Sequence, residues 1–290
     1  MNGRTGRLLS VTELRDLLRR HGLAPNRRLG QHFVIDHNTL RRMVADAGVR
    51  PGDQVCEIGP GLGSLTLALR TAGARVTAIE VDAGMVRALT EVVGDDPMVR
   101  VIHADVRDVD LVAEIPAPAL VVANLPYAIG TSVTLDTLAL EHFSRLHLMV
   151  QREVGQRWTA EVGDPQFGAV SLKIGAYADA RVVARVSRRA FQPVPGVDSV
   201  TVHLEPRPWE RAIPRPTVVA LIDQGFTQRR KRLRNALAPL LDTARVDVAL
   251  AAVGLAPDVR AEQLPLTTWC ELADALRDRH IADGASLPLP

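Results

Sequence analysis

Cysteine is almost missing, with two residues, Cys56 and Cys270, in 290. Two thiols so far apart in sequence make neither a disulfide framework nor a zinc site, and both read as small buried apolar residues. Long apolar runs are missing too. Stretches such as Leu120 to Ala123 fall far short of the roughly twenty residues that a spanning helix needs, so no membrane segment is expected. Nor does a charged start lead into an apolar signal segment, because Leu8-Leu9 is short and Arg15 to Arg20 is charged; the expected location is the cytoplasm. Aromatic residues make up 3% of the chain, which argues against a broad stacking platform for unpaired bases. The eight histidines are scattered, and the nearest pairs, His32 with His37 and His142 with His147, would point to different faces of a helix. No metal site is expected.

The 47% apolar content is enough for a substantial core, and the length exceeds that of a usual single domain. Val55 to Ile58 reads as a buried strand running into Gly59-Pro60-Gly61-Leu62-Gly63 and then the periodic segment Ser64 to Leu69. Strand, glycine turn and helix are the geometry of a nucleotide site, because glycine lets the backbone approach a ligand closely. Gly-Pro-Gly-Leu-Gly is not the dinucleotide fingerprint, and its tightness suggests a nucleoside without a pyrophosphate. A second apolar strand, Arg75 to Ile79, ends in Glu80, where an acid that accepts from ribose hydroxyls is expected. A third closes near Asp105, which can accept from an adenine amine. Each acid alone is more often a solvated strand end; three strands ending in polar ligands, in step with a glycine turn, argue for a site.

Asn124-Leu125-Pro126-Tyr127 follows a fourth apolar strand, Leu120 to Ala123. Taken alone, it also reads as an ordinary proline turn closing a strand. Its residue types suit chemistry on a flat exocyclic amine, whose lone pair is delocalised into its ring. An Asn oxygen and a neighbouring backbone carbonyl can accept the two amine hydrogens and favour a pyramidal nitrogen, while Tyr127 stacks on the ring. No proton-abstracting base is required.

This order of glycine turn, ribose acid, adenine acid and Asn-Leu-Pro-Tyr is similar to that of S-adenosylmethionine-dependent methyltransferases. From Leu29 to about Leu272 the chain resembles the KsgA-type ribosomal-RNA adenine dimethyltransferases, a family related to the Erm methyltransferases. The matching segments are Leu29-Gly30-Gln31-His32-Phe33, the glycine turn, Asn124 to Tyr127, Gln151-Arg152-Glu153-Val154, Phe191 to Ser199, and Phe226 to Lys231. The resemblance implies that Gln31, His32 and Phe33 help bind the cofactor and that Glu57, Gly59, Gly61 and Gly63 surround its methionine. Glu80 and Asp105 would hold ribose and adenine, with Asn124 at the reacting end. Phe191 would close over a flipped target base opposite Tyr127. It also implies a class I, Rossmann-like fold, ribosomal RNA or the small ribosomal subunit as partner, and a monomer. The family's usual Asn is His32 here, a further Asn is replaced at Ala128, and Phe167 stands where Tyr is common. These departures keep open a small-molecule methyltransferase acting on a flat aromatic ring. A nucleic-acid-binding module that has kept only the fold stands as a third reading.

A net charge of +2 does not announce a nucleic-acid protein, so distribution carries that argument. Arg229-Arg230-Lys231-Arg232-Leu233-Arg234 is one basic run; Arg15, Arg19, Arg20, Arg27 and Arg28 form another; Arg185, Arg188 and Arg189 a third. Such groups can hold RNA phosphates, although any single run is as often a solvated helix face. The pattern as a whole predicts an α/β, doubly wound, mostly parallel sheet with a small C-terminal helical domain. The expected divisions are an N-terminal helical extension (1–28), the cofactor-binding domain (29–205), a proline-rich linker (206–216), a helical domain (217–282) and a tail (283–290), with RNA bound between the domains.

Overall fold

Apolar runs of five or six residues form the central strands, and amphipathic segments between them form the crossover helices. The computed structural model describes residues 7–25, 31–127, 129–228, 231–239 and 242–282. Leu29, Gly30, Arg27, Arg28, Ala128, Arg229, Arg230 and the tail, all named above, lie outside the described residues.

In chain order the first helices and strands are α1 (Val11–Arg20), β1 (Phe33–Val34), α2 (His37–Asp46), β2 (Gln54–Ile58), α3 (Ser64–Thr71), β3 (Arg75–Glu80), α4 (Ala83–Val93), β4 (Val99–His103), α5 (Leu111–Glu114), β5 (Ala119–Asn124), α6 (Gly130–Ala139), β6 (Phe143–Gln151) and α7 (Arg152–Trp158). They are followed by α8 (Ala169–Tyr177), β7 (Ala178–Val186), β8 (Phe191–Gln192), β9 (Ser199–Pro206), α9 (Arg215–Gly225), α10 (Leu233–Leu237), α11 (Thr243–Ala252) and α12 (Leu266–Ala282). Seven strands form one sheet in the order β4-β3-β2-β5-β6-β9-β7. The β2, β3, β4, β5 and β6 pairings are parallel, and β9 lies antiparallel on β6. The chain winds outward from β2 to β3 and β4, then resumes at β5 on the other side. That reversal opens a crevice at the carboxyl ends of β2 and β5, where doubly wound sheets bind ligands. β1 and β8 make a separate antiparallel ribbon, pairing Phe33 with Gln192 and Val34 with Phe191.

The chain divides into two compact units, the first of residues 1–155 and 180–206, the second of residues 156–179 and 207–290. Two sequence expectations are corrected here. Residues 156–179 were expected with the cofactor-binding domain, but Phe167 and Leu172 pack in the same core as Leu221, Leu237, Trp269 and Leu272. The proline-rich 206–216 segment is also folded: Ile213 is buried in that core, and Trp209 Nε1 donates to the Ile213 carbonyl at 2.6 Å. Arg215, nearly buried, packs its guanidinium over the rings of Tyr177 (4.8 Å) and Trp209 (5.2 Å). Proline marks the chain's turns here, not its freedom.

Within the sheet, β6 and β9 bury His147 opposite His203, with their Nδ1 atoms 3.4 Å apart. Burial, reinforced by the nearby His203 charge, pushes His147 down to about 4, and burial lowers His203 as well. A histidine held below its unfolded value stabilises the fold only while neutral. That contribution is complete above about pH 6.5 and is lost as the pH falls towards 4. It amounts to roughly 3 kcal/mol for His147. Urea midpoints should therefore fall more steeply between pH 6.5 and 4 for the wild type than for His147→Leu. Parallel slopes would remove the histidine from the acid response.

Candidate functional site

β2 delivers Glu57 and Ile58 to the edge of the crevice, and the chain then turns through Gly59, Gly61 and Gly63, all at positive φ. Two of these are demanded by close approach as well as by conformation. A Cβ on Gly61 would lie 3.0 Å from the Phe33 ring, and one on Gly63 would lie 2.7 Å from Leu89. Gly63 caps α3, so the first amides of that helix open towards the crevice. β3 ends at Glu80, whose Oε2 accepts from the Gly61 amide at 3.0 Å and whose Oε1 accepts from the Asp82 amide at 3.0 Å. The acid thus shapes the glycine turn while keeping lone pairs for a ligand. Asp105 follows β4, and Asn124 ends β5.

One pocket is lined by Gln31, His32, Phe33, Glu57, Gly59, Gly61, Glu80, Asp105, Asn124 and Pro126, together with Ile58, Leu62, Leu65, Ile79, Val81, Ala104, Val106 and Ile129. Of the expected site residues, Gly63 stands just behind it, capping α3, and Leu125 is buried beneath it with its amide donating to Met149 O at 3.1 Å. Tyr127 stands beside His32, ring centroids 5.6 Å apart.

Asn124 is oriented by a main-chain contact: its Nδ2 donates to the His32 carbonyl at 3.1 Å. Because a carbonyl only accepts, that bond leaves Oδ1 as the free acceptor. His32 Nδ1 lies 2.8 Å from the Pro193 carbonyl and must carry the proton in that bond. His32 therefore ties together the Gln31–Phe33 segment, Asn124 and the loop after Phe191. Ser199, on β9, lies 3.2 Å from the Tyr127 hydroxyl. Ser199 closes the matching Phe191 to Ser199 segment, yet its contact with Tyr127 is visible only once β9 is placed.

The sequence resemblance puts the Phe191 ring opposite Tyr127; in the structure the ring is fully buried in the core with Phe33 and Val34, which themselves line the pocket, and Phe191 is not among the lining residues. Its backbone pairing with Val34 fixes the following loop where Pro193 can meet His32.

The electrostatics set the three acids apart. Burial drives Glu57 up to about 8, against the opposing hydrogen bond from Thr66 Oγ1 at 2.6 Å. Burial also raises Glu80, with the Asp82 and Gly61 amides pulling it back. Asp105 is held down to about 2 by its hydrogen bonds to Arg107. Burial raises the Tyr127 hydroxyl, so that side chain is neutral at pH 7.

S-adenosylmethionine fits these residues. Glu57 and Glu80 are both nearly buried at a pocket lined by no Lys or Arg, and among the described residues neither has a cationic partner. Such a pair favours a ligand with positive charge and hydroxyl donors. Glu57 can face the cationic methionine end, Glu80 the ribose and Asp105 the adenine amine. No group of three or more metal-ligating side chains occurs among the described residues. No described helix is long and apolar enough to cross a membrane.

The basic runs divide. Arg19 pairs with Asp16 and Arg20 with Glu91, so part of the N-terminal run stabilises its own surroundings. Lys231 and Arg232 line a polar depression with Asn235, Arg260 and Gln263, while Arg234 pairs with Asp247 at 3.0 Å.

The family model for ribosomal RNA adenine dimethylase matches residues 22–278. The ribosomal RNA small subunit methyltransferase A of Leifsonia xyli subsp. xyli is 45% identical over 279 residues, covering 92% of this chain and 98% of the relative. That of Thermobifida fusca is 41% identical over 279 residues, 92% of this chain and 96% of the relative. A dimethyladenosine transferase from Plasmodium falciparum shares the fold at a TM-score of 0.72 and 21% identity, over 88% of this chain and all of that one. The 23S rRNA methyltransferase ErmE aligns at a TM-score of 0.64 and 25% identity, over 84% of this chain and 99% of that one. With a doubly wound sheet, a glycine turn and Asn-Leu-Pro-Tyr at the ends of β2 and β5, this chain belongs to the ribosomal RNA adenine dimethylase family, the S-adenosylmethionine-dependent rRNA adenine methyltransferases.

Proposed function

We propose that this chain methylates the exocyclic N6 of adenine in small-subunit ribosomal RNA, adding two methyl groups to each target. The observation that carries the chemistry is Asn124, its Nδ2 tied to His32 so that Oδ1 is left to accept. S-adenosylmethionine supplies a methyl group made electrophilic by its sulfonium.

Asn124 Oδ1 accepts one amine hydrogen and a neighbouring backbone carbonyl of the Asn124–Tyr127 turn the other. Both acceptors favour a pyramidal nitrogen with its lone pair directed into the pocket. After one methylation a single hydrogen remains, and either acceptor can hold it for the second. Tyr127, braced by Ser199, offers its ring to the extruded base. Lys231, Arg232 and Arg260 supply phosphate contacts in the helical unit.

Labelled methyl transfer tests this reading with unmethylated small ribosomal subunits, large-subunit RNA and a panel of small aromatic amines as acceptors. Label should enter the small subunits. Label confined to the small amines would overturn the RNA assignment and keep the chemistry.

The His32 contacts give a prediction of their own. Asn places an amide nitrogen close to where histidine carries Nδ1, so His32→Asn should keep the Pro193 bond. Its kcat/KM for RNA should stay within about threefold of wild type, whereas His32→Leu should lose about fivefold or more, one neutral hydrogen bond. Equal losses in both variants would mean that the ring, and not the bond, is what matters.

A further inference from the structure

Glu57 has a carboxyl group that is 1% exposed, lines the cofactor pocket and accepts from Thr66 Oγ1, and no cation among the described residues faces it. Its neighbours make ionisation costlier. Glu80 on β3 acts on it as a like charge, and Cys56, beside it on β2, is a buried thiol pushed up by that burial. From α3 the Thr66 hydroxyl and the Thr66 backbone reach it, both uncharged, and the other polar groups at the pocket include Asp105, His32 and Asn124. A buried acid beside a second acid is neutral when alone, because desolvation and like charge both disfavour the carboxylate.

We propose that Glu57 is a proton-coupled selector for the cationic end of the cofactor: it is protonated in the empty enzyme and releases its proton to the buffer when the methionine end binds. This rests on S-adenosylmethionine being the ligand, not on the RNA acceptor. The balance is simple. The O–H bond of the Glu57 carboxylic acid breaks, the proton leaves to solvent, and the carboxylate faces the incoming positive charge. A ligand without that charge gives Glu57 no reason to ionise.

The coupling fixes the pH dependence. Glu57 sits at about 8 in the empty enzyme, so below that pH cofactor affinity should rise by up to about tenfold per pH unit, and above it should fall again as the cofactor's own ammonium loses its proton. At pH 7 binding should release roughly 0.9 proton. The cofactor's own ammonium, with an ordinary value near 8, would take up only about 0.1 in the opposite sense.

Calorimetry of the full chain at pH 7, without RNA, tests this in buffers of different ionisation enthalpy. S-adenosylmethionine is the ligand, and 5′-methylthioadenosine, which keeps the nucleoside and lacks both cations, is the control. The expected result is release of about one proton with S-adenosylmethionine and none with the control. Glu57→Gln, which keeps the Thr66 bond and is checked for folding by its thermal midpoint, should bind with no buffer-dependent heat. Binding heats that do not depend on buffer in the wild type would overturn the proposal without needing any variant. Equal release with methylthioadenosine would overturn it too, as would release that persists in Glu57→Gln but vanishes in Glu80→Gln. None of these outcomes depends on whether RNA is the acceptor, which methyl transfer decides separately.

Discussion

Asn124→Ala should lower kcat by about 100-fold or more while changing cofactor affinity by less than about threefold, because losing the group that orients a reacting atom is felt in the transition state. The side chain is aimed by the His32 carbonyl, and its neighbours Leu125 and Pro126 are anchored independently through Met149 and Ile129. Truncation therefore removes the acceptor and leaves the turn in place. Single-turnover rates and cofactor titration measure the two effects apart. If the variant instead lost cofactor binding and kept its rate at saturation, Asn124 would belong to the cofactor and not to the amine.

Glu80→Ala should do the reverse. A carboxylate accepting from ribose hydroxyls contributes charge-assisted hydrogen bonds of about 1.5–3 kcal/mol each, so cofactor affinity should fall by about 100-fold or more. The loss is compounded because Glu80 also holds the Gly61 and Asp82 amides. Glu80→Gln should do less harm, since its amide oxygen still accepts from Gly61. Fluorescence or calorimetric titration reads both, and unchanged affinity in Glu80→Ala would move the ribose elsewhere.

The residues most legible in the sequence are those at the ends of long apolar strands. Ile58, Glu80 and Asn124 each close or nearly close a run of five or six strand residues, and parallel pairing brings such ends to one edge. Asp105 joins them just past β4. What was hidden depends on contacts distant in sequence. β1 and β8 are two residues long, too short to show a period, yet their pairing buries Phe191 and brings Pro193 to His32. A motif could suggest an aromatic wall; it could not show that the ring serves the core.

The same limit explains the helical unit. Phe167 and Leu172 look locally like any helix-flanking apolar residues, and only the positions of Trp269 and Leu221 reveal which core they fill. Trp209, Ile213 and Arg215 turn a proline-rich segment into folded structure through hydrogen bonds to the Ile213 and Arg207 carbonyls and two ring contacts. Thr66 and Ser199 escaped notice because hydroxyls are frequent and carry no spacing of their own. The buffering of Glu57 by Thr66 and the bracing of Tyr127 by Ser199 emerge only from distances.

The central claim is that the Asn124 site methylates N6 of adenine in small-subunit RNA, and nucleoside analysis tests it most directly. Unmethylated small subunits treated with the wild-type chain and S-adenosylmethionine, then digested and separated by mass spectrometry, should yield N6,N6-dimethyladenosine, and the Asn124→Ala reaction should yield almost none. Methyl groups on ring nitrogens, on ribose or on another base would contradict the account, because the proposed Asn124 and backbone acceptors suit an exocyclic amine.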